Sequence, residues 1–119
     1  MNHYLTAFVI SLLLTGCGNH IVFEPNKLPD GYIDQEYYFP ITISGSTGPV
    51  VDLSYEIHPS HSGLKLVFAE KNITQNIYNN FTIEGKPQLQ GIVTISIRGG
   101  IVASAGQYFE KQYEINVQK

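Results

Sequence analysis

Alternation of apolar and polar residues with a period of two is the pattern that most constrains the fold of this chain. It is clearest over residues 37–44, where one set of alternate side chains is aromatic or aliphatic: Tyr37, Phe39, Ile41 and Ile43. Successive side chains of a β-strand point to opposite faces, so this run predicts a strand with one buried face. No segment shows sustained helical periodicity, and the pattern therefore predicts an all-β protein.

Seven segments carry the strand pattern, and they are separated by Gly, Pro, Asn and Asp. They cover residues 21–24, 37–44, 51–57, 64–68, 78–84, 92–98 and 108–117. Because each strand has one apolar face, the strands must form two packed sheets or a closed barrel, and a sandwich of about seven strands is favoured.

Some details of this arrangement are also predicted. The third segment turns Val51, Leu53, Tyr55 and Ile57 inward and Asp52, Ser54 and Glu56 outward. Pro40 has no amide hydrogen to donate, so its strand should be an edge strand or carry a bulge. Residues 71–76 read as a polar loop, whereas residues 99–106 read either as a loop or as a continuation of both flanking strands into a hairpin.

The N-terminus carries a short apolar leader that ends at the only cysteine of the chain. Residues 5–14 are mainly apolar but too few to cross a bilayer as a helix, as is typical of a secretory signal peptide. The motif Leu14-Thr15-Gly16-Cys17 resembles the lipobox of bacterial lipoproteins. The resemblance implies cleavage after residue 16 and attachment of lipid, including fatty acyl chains such as palmitate, to the Cys17 thiol.

By the same resemblance, Gly18 stands where an Asp would retain a lipoprotein of enteric bacteria in the inner membrane. We therefore expect a location in the bacterial cell envelope, with the outer membrane favoured over the inner membrane. Residues 1–16 would form the signal peptide, residues 17–27 a tether and first strand, and residues 28–119 the domain.

Composition limits what the mature chain can do. The full sequence of 119 residues carries a net charge of −3 with no run of either sign, so a nucleic-acid partner is not expected. With Cys17 lipidated no thiol remains for a disulfide, and an apolar core must supply the stability. No cofactor or metal is expected.

Several short motifs resemble the immunoglobulin-like, cadherin-like modules of bacterial surface proteins. In order along the chain they are Leu28-Pro29-Asp30-Gly31, Tyr37, Gly63-Leu64-Lys65-Leu66, Ile83-Glu84-Gly85-Lys86-Pro87, Gly91 and Tyr113-Glu114-Ile115-Asn116-Val117. The resemblance implies an immunoglobulin-like β-sandwich over residues 28–119 and a non-catalytic binding or structural role. The clustered Asp and Asn calcium motifs of cadherins are missing.

Candidate functional residues are few. Four tyrosines at turns or on outward faces form a candidate binding patch for protein or sugar: Tyr32, Tyr38, Tyr78 and Tyr108. The pair His58 and His61 has no neighbouring ligand at metal-site spacing, so a solvated loop is the favoured interpretation.

Glu110 and Glu114 share an outward strand face, but their backbones lie about 13 Å apart, beyond the separation of glycosidase carboxylates. The sequence thus predicts a lipid-anchored binding or structural domain and not an enzyme. The alternatives are an accessory lipoprotein of a secretion or other envelope machine, and a lysozyme inhibitor.

Overall fold

A computed structural model describes residues 21–45, 49–75, 77–101 and 108–119. These residues form eight strands and one short helix. The elements are β1 (Val22–Glu24), β2 (Gly31–Tyr32), β3 (Tyr37–Ser44), β4 (Val50–His58), β5 (Leu64–Val67), α1 (Glu70–Gln75), β6 (Asn80–Gly85), β7 (Gly91–Ile101) and β8 (Tyr108–Gln118). The leader, the lipobox and Cys17 lie outside the described residues.

The strands form two four-stranded sheets. The first sheet has the order β1-β3-β6-β5, and the second has the order β2-β8-β7-β4. If the strands other than β2 are lettered A to G in chain order, the first sheet becomes A-B-E-D and the second becomes G-F-C. These are the two sheets of an immunoglobulin constant-type domain. The two-residue strand β2 adds to the second sheet by pairing parallel with the end of β8. The predicted immunoglobulin-like sandwich is confirmed.

The core lies between the sheets and is built by the inward positions of the alternating strands. Its most deeply buried side chains are aliphatic and come from both sheets: Ile41, Ile83, Ile95, Ile97 and Ile115. In β8 the alternation is complete from residue 112 onward, with Tyr113, Ile115 and Val117 buried and their neighbours exposed. The period-two pattern therefore identified the buried face correctly in the inner strands.

The prediction of a polar loop over residues 71–76 was wrong, because α1 occupies Glu70–Gln75. The helix buries none of its residues, and its one large apolar side chain, Ile73, is half exposed. The carbonyl of Ala69 accepts hydrogen bonds from the amides of Asn72 and Ile73. A helix of six residues without a buried face leaves no apolar periodicity in the sequence.

The inward set predicted for β4 was wrong at one position, Val51, whereas Leu53, Tyr55 and Ile57 do face the inner side. A register shift between Val50 and Asp52 places Val50 in the core, while Val51 is only half buried. Tyr55 lies opposite the buried Ile97 and so faces the inner side, but it is 42% exposed. β4 is one of the two outermost strands of its sheet, so its inner face lies at the margin of the sandwich and not at its centre.

Pro40 does not mark an edge strand or a bulge, since β3 lies between β1 and β6 and pairs with β6 without a register shift. β1 pairs only with residues 42–44 of β3. Pro40 thus lies beyond the end of β1, where a missing amide hydrogen costs no ladder bond on that side.

The alternatives left open for residues 99–106 are decided in part. Residues 99–101 continue β7, and β8 pairs with it from Gly100↔Tyr108 to Gly91↔Val117, so the two flanking strands form a long hairpin. Residues 102–107 lie outside the described part of the chain.

Two tyrosine hydroxyls hold the segment that crosses from the first sheet to the second. Tyr37 of β3 donates a hydrogen bond to the carbonyl of Pro29 at 2.9 Å, and Tyr113 of β8 donates one to the carbonyl of Pro25 at 2.7 Å. Burial raises the pKa of Tyr113 to about 12. Burial, and secondly the charge of Asp30, raise the pKa of Tyr37 well above its usual range.

These shifts predict loss of stability at alkaline pH. Tyrosine in the unfolded chain ionises near pH 10, before either folded residue does, so each contributes stability that is present below about pH 10 and is lost as pH rises toward the folded pKa. The slope is up to about 1.4 kcal/mol per pH unit for each tyrosine. We expect the Tyr113→Phe variant to be about 1 kcal/mol less stable near neutral pH, and to lose stability less steeply than wild type above pH ~10. Urea unfolding of both proteins across this range tests the difference, and equal alkaline slopes would contradict it.

Candidate binding surface

The structure does not bring the four candidate tyrosines together. Tyr38 is 59% exposed on the outer face of the first sheet, whereas Tyr32 and Tyr108 belong to the second sheet. Tyr32 pairs with Gln118 at the end of β8, and Tyr108 begins that strand. Ten residues of strand separate these two positions along the sheet, a span of about 33 Å.

Tyr78 differs from the other three because it is not on an outward face. It is half buried and packs against the core, with its ring centroid 5.0 Å from that of Phe68 in an edge-to-face contact. Its amide donates a hydrogen bond to the carbonyl of Val50. The four residues therefore do not form a single continuous surface.

A different set of polar side chains shares one surface, the outer face of the second sheet. We call this surface the polar face. It is formed by alternate residues of three adjacent strands: Asp52, Ser54, Glu56 and His58 of β4, Thr94, Ser96 and Arg98 of β7, and Tyr108, Glu110, Gln112, Glu114 and Asn116 of β8. Tyr108 is its most exposed aromatic residue, at 76%.

A shallow, solvent-open cavity of about 390 Å³ lies on the polar face. Asp52 and Ser54 bound it on β4, and Tyr108 and Glu110 bound it on β8. Arg98 stands between them, since the register aligns Ser54, Arg98 and Glu110 across the three strands. The cavity thus offers a cation, carboxylates, a hydroxyl and an aromatic ring within one depression.

The lining of this cavity depends on a glycine. Gly99 contributes only backbone, and a Cβ built on it would collide with the carbonyl of Asp52 and the ring of Phe109. The Phe109 ring also packs on Phe23 of β1, with 5.5 Å between centroids. The depression is therefore supported from below by aromatic packing between the sheets.

Charges on the polar face are mainly acidic and well exposed. Arg98 Nε lies 3.9 Å from Glu110 Oε1, and His58 Nε2 lies 3.6 Å from Glu56 Oε2. About two thirds of each of these side chains is exposed, so both pairs are screened by solvent and contribute little stability. Arg98 is accordingly available to a ligand at low energetic cost.

The structure places the other candidate residues without assembling a reactive site. His58 ends β4, and His61 lies in the exposed turn that follows. Ser62 is buried, and its hydroxyl accepts a hydrogen bond from the amide of Leu64 at 3.3 Å, so this part of the predicted solvated loop is packed. Within the described residues, no three His, Cys, Asp or Glu side chains come close enough to hold a metal ion.

Glu110 and Glu114 are on the polar face, with Gln112 between them.

Among the described residues, none of the helices has the length and apolar character required to cross a membrane. The sequence predicted that Asp52 and Glu110 face outward, but it did not indicate that both line one cavity with Arg98. Only the register across β4, β7 and β8 reveals that cluster.

Comparison with known proteins bears on the fold. No family model and no curated protein matches the chain. Among solved structures, the SrpA adhesin from Streptococcus sanguinis superposes with a TM-score of 0.57 at 15% identity, over 86% of this chain and 59% of that one. Domains 4 and 5 of the S-layer protein SbsC give a TM-score of 0.51 at 14% identity, over 82% of this chain and 50% of that one.

The fold is that of immunoglobulin-like domains of bacterial surface proteins. This immunoglobulin-like chain spans between half and three fifths of the length of these two structures. At such low identity the similarity concerns the fold of the immunoglobulin-like domain, and its ligand must be inferred from its own residues.

Proposed function

We propose that this protein is a lipid-anchored, non-catalytic binding domain of the bacterial cell envelope, and that the polar face is its recognition surface. The observation that carries the proposal is the open cavity around Arg98, where three neighbouring strands present complementary polar groups and Tyr108. Arginine and tyrosine are enriched among the residues that dominate binding energy in protein interfaces. The adhesin and S-layer folds support a surface role.

The anchor rests on the lipobox resemblance of Leu14-Thr15-Gly16-Cys17. Each buried methylene of an acyl chain contributes about 0.8 kcal/mol, and two or more chains hold a protein stably in a membrane, whereas a single chain does not. The domain described here would then begin a few residues from the membrane surface, because β1 starts at Val22. The outer membrane is the favoured location.

Replacement of the anchor cysteine tests this part of the proposal. We expect Cys17→Ser to abolish incorporation of a clickable palmitate analogue and to release the protein from the membrane fraction, while the wild-type protein remains in it. Fractionation and in-gel fluorescence of the labelled protein provide the measurement. Equal membrane retention of the two proteins would contradict lipid anchoring.

The recognition surface is tested in the same cells by crosslinking and mass spectrometry. Arg98→Ala should lower recovery of the partner by about fivefold or more, since loss of a dominant interface arginine costs above about 1 kcal/mol. Lys65→Ala is the matched control, because Lys65 is an exposed cation on the other sheet. Equal recovery with both variants would remove the polar face from the proposal.

A further inference from the structure

Strand β4, at one end of the second sheet, has a long edge that no other described strand covers. Among the described residues it pairs with β7 on one side only, and it is nine residues long, whereas the other outermost strands β1, β2 and β5 have three, two and four residues. Its first residue is closed off, since the amide of Tyr78 donates to the Val50 carbonyl and the Asn79 side chain accepts from the Val50 amide. Residues 52–58 form the open part.

The edge of β8 that lies away from β7 is paired over only part of its length, because β2 pairs only with the last two residues of β8. There the crossover segment lies alongside: Lys111 donates a hydrogen bond to the side chain of Asn26, and Tyr113 donates one to the Pro25 carbonyl. The side of β8 is thus partly covered by the chain itself. Within the described part of the chain, β4 offers the longer uncovered edge.

Apolar side chains accompany the open edge of β4. Leu53, Tyr55 and Ile57 lie on its inner side, opposite Gly99, Ile97 and Ile95, and none of the three is fully buried. Tyr55 is 42% exposed at the midpoint of the open segment. An edge that exposes backbone groups together with a row of apolar side chains can accept a further strand.

We propose that the added strand is β4 of a second copy of this chain, paired antiparallel with Tyr55 at the two-fold axis. Residues directly opposite each other in an antiparallel pair project their side chains to the same side of the sheet. Because sides alternate along each strand, the two-fold axis must pass through a residue position and not between two residues. Centring on Tyr55 pairs all seven residues of the open segment. Asp52 then faces His58 of the partner subunit, and Leu53 faces the partner's Ile57.

Repulsion between acidic side chains disfavours the two neighbouring registers, which are centred on Ser54 and on Glu56. Centring the axis on Ser54 would place Asp52 opposite the partner's Glu56, twice in the dimer. Centring it on Glu56 would place the two copies of that carboxylate opposite each other. Like charges directly opposite are destabilising, whereas the Tyr55-centred register opposes no two acidic residues. It also brings two Tyr55 rings together, and aromatic pairs stabilise sheets.

This pairing would join the second sheets of two molecules into one continuous eight-stranded sheet. The polar faces of both copies would then lie on the same side, which gives the assembly two adjacent cavities for one multivalent partner. The dimer requires no contribution from Cys17. Its formation is therefore independent of the lipid anchor.

Site-specific disulfide crosslinking of the full-length chain in cells tests the register. Tyr55→Cys should yield a disulfide-linked dimer on mild oxidation, because the two Cβ atoms at the axis lie about 5 Å apart. Asp52→Cys is the control on the same strand, since its two copies would lie about 20 Å apart. Both are made in wild-type and Cys17→Ser backgrounds, so that any crosslink through Cys17 is recognised.

The expected result is a dimer band from Tyr55→Cys and none above background from Asp52→Cys. No band from either variant, equal bands from both, or a band in which mass spectrometry finds a different protein would overturn the proposal. A charge exchange gives a second test within the Tyr55→Cys protein. His58→Asp should reduce the crosslink several-fold by placing acids opposite Asp52, and adding Asp52→His should restore it. Failure of restoration would overturn the register.

Discussion

Gly85→Ala is expected to destabilise the domain by more than about 3 kcal/mol, which is a large part of the stability of a small domain. Gly85 ends β6 with φ of +133°, a conformation that L side chains rarely adopt. A Cβ there would also lie far inside van der Waals contact with the carbonyl oxygen of Gly63, which is backbone and cannot rotate away. Both strain and collision therefore oppose the substitution.

Gly91→Ala provides the matched control. Gly91 has a similar φ of +122°, but a Cβ built on it meets nothing within 4 Å. Its substitution should cost only the backbone strain, about 1 to 2 kcal/mol. Urea unfolding of wild type and both variants gives the comparison. If Gly91→Ala and Gly85→Ala were equally destabilising, the close approach to Gly63 would not be the cause.

Asn79→Ala should lower the free energy of unfolding by about 2 to 4 kcal/mol, because it leaves two backbone groups of different sheets without their partners. The Asn79 side-chain oxygen accepts from the amide of Val50 at 3.0 Å, and its nitrogen donates to the carbonyl of Ile43 at 2.9 Å. Its own carbonyl accepts from the amide of Ile43. Val50 and Ile43 are buried, so water cannot readily replace these bonds.

The adjacent Asn80 supplies a control for the loss of an amide. Its side chain accepts a hydrogen bond from the Thr42 hydroxyl at 2.9 Å on the exposed surface. Asn80→Ala should therefore lower the free energy of unfolding by less than about 1 kcal/mol. Thermal and urea unfolding of the two variants should separate them clearly. Equal losses would show that Asn79 does not act as a link between the sheets.

The sequence predicts which residues of the candidate site face outward, but not which of them lie close together. Outward positions such as Asp52 and Glu110 follow from strand alternation alone, and both predictions hold. Their proximity to Arg98 depends on which residues of β4, β7 and β8 face one another, and the register is set by the bulge after Val50 and the hairpin length. The predicted patch of four tyrosines failed to assemble because alternation assigns faces within a strand but does not say which sheet a strand joins.

The sequence by itself determined that the chain is an all-β protein and favoured a sandwich, because seven apolar-faced segments separated by turn residues can bury their inner side chains only in two packed sheets or a closed barrel. It also carries the lipobox resemblance on which the proposed anchor rests. Only the tertiary structure decided that β4 is an outermost strand with Tyr55 exposed, that Asn79 links the sheets, and that Arg98 meets Glu110. Those features depend on contacts between residues far apart in sequence, and such contacts leave no local periodicity to read.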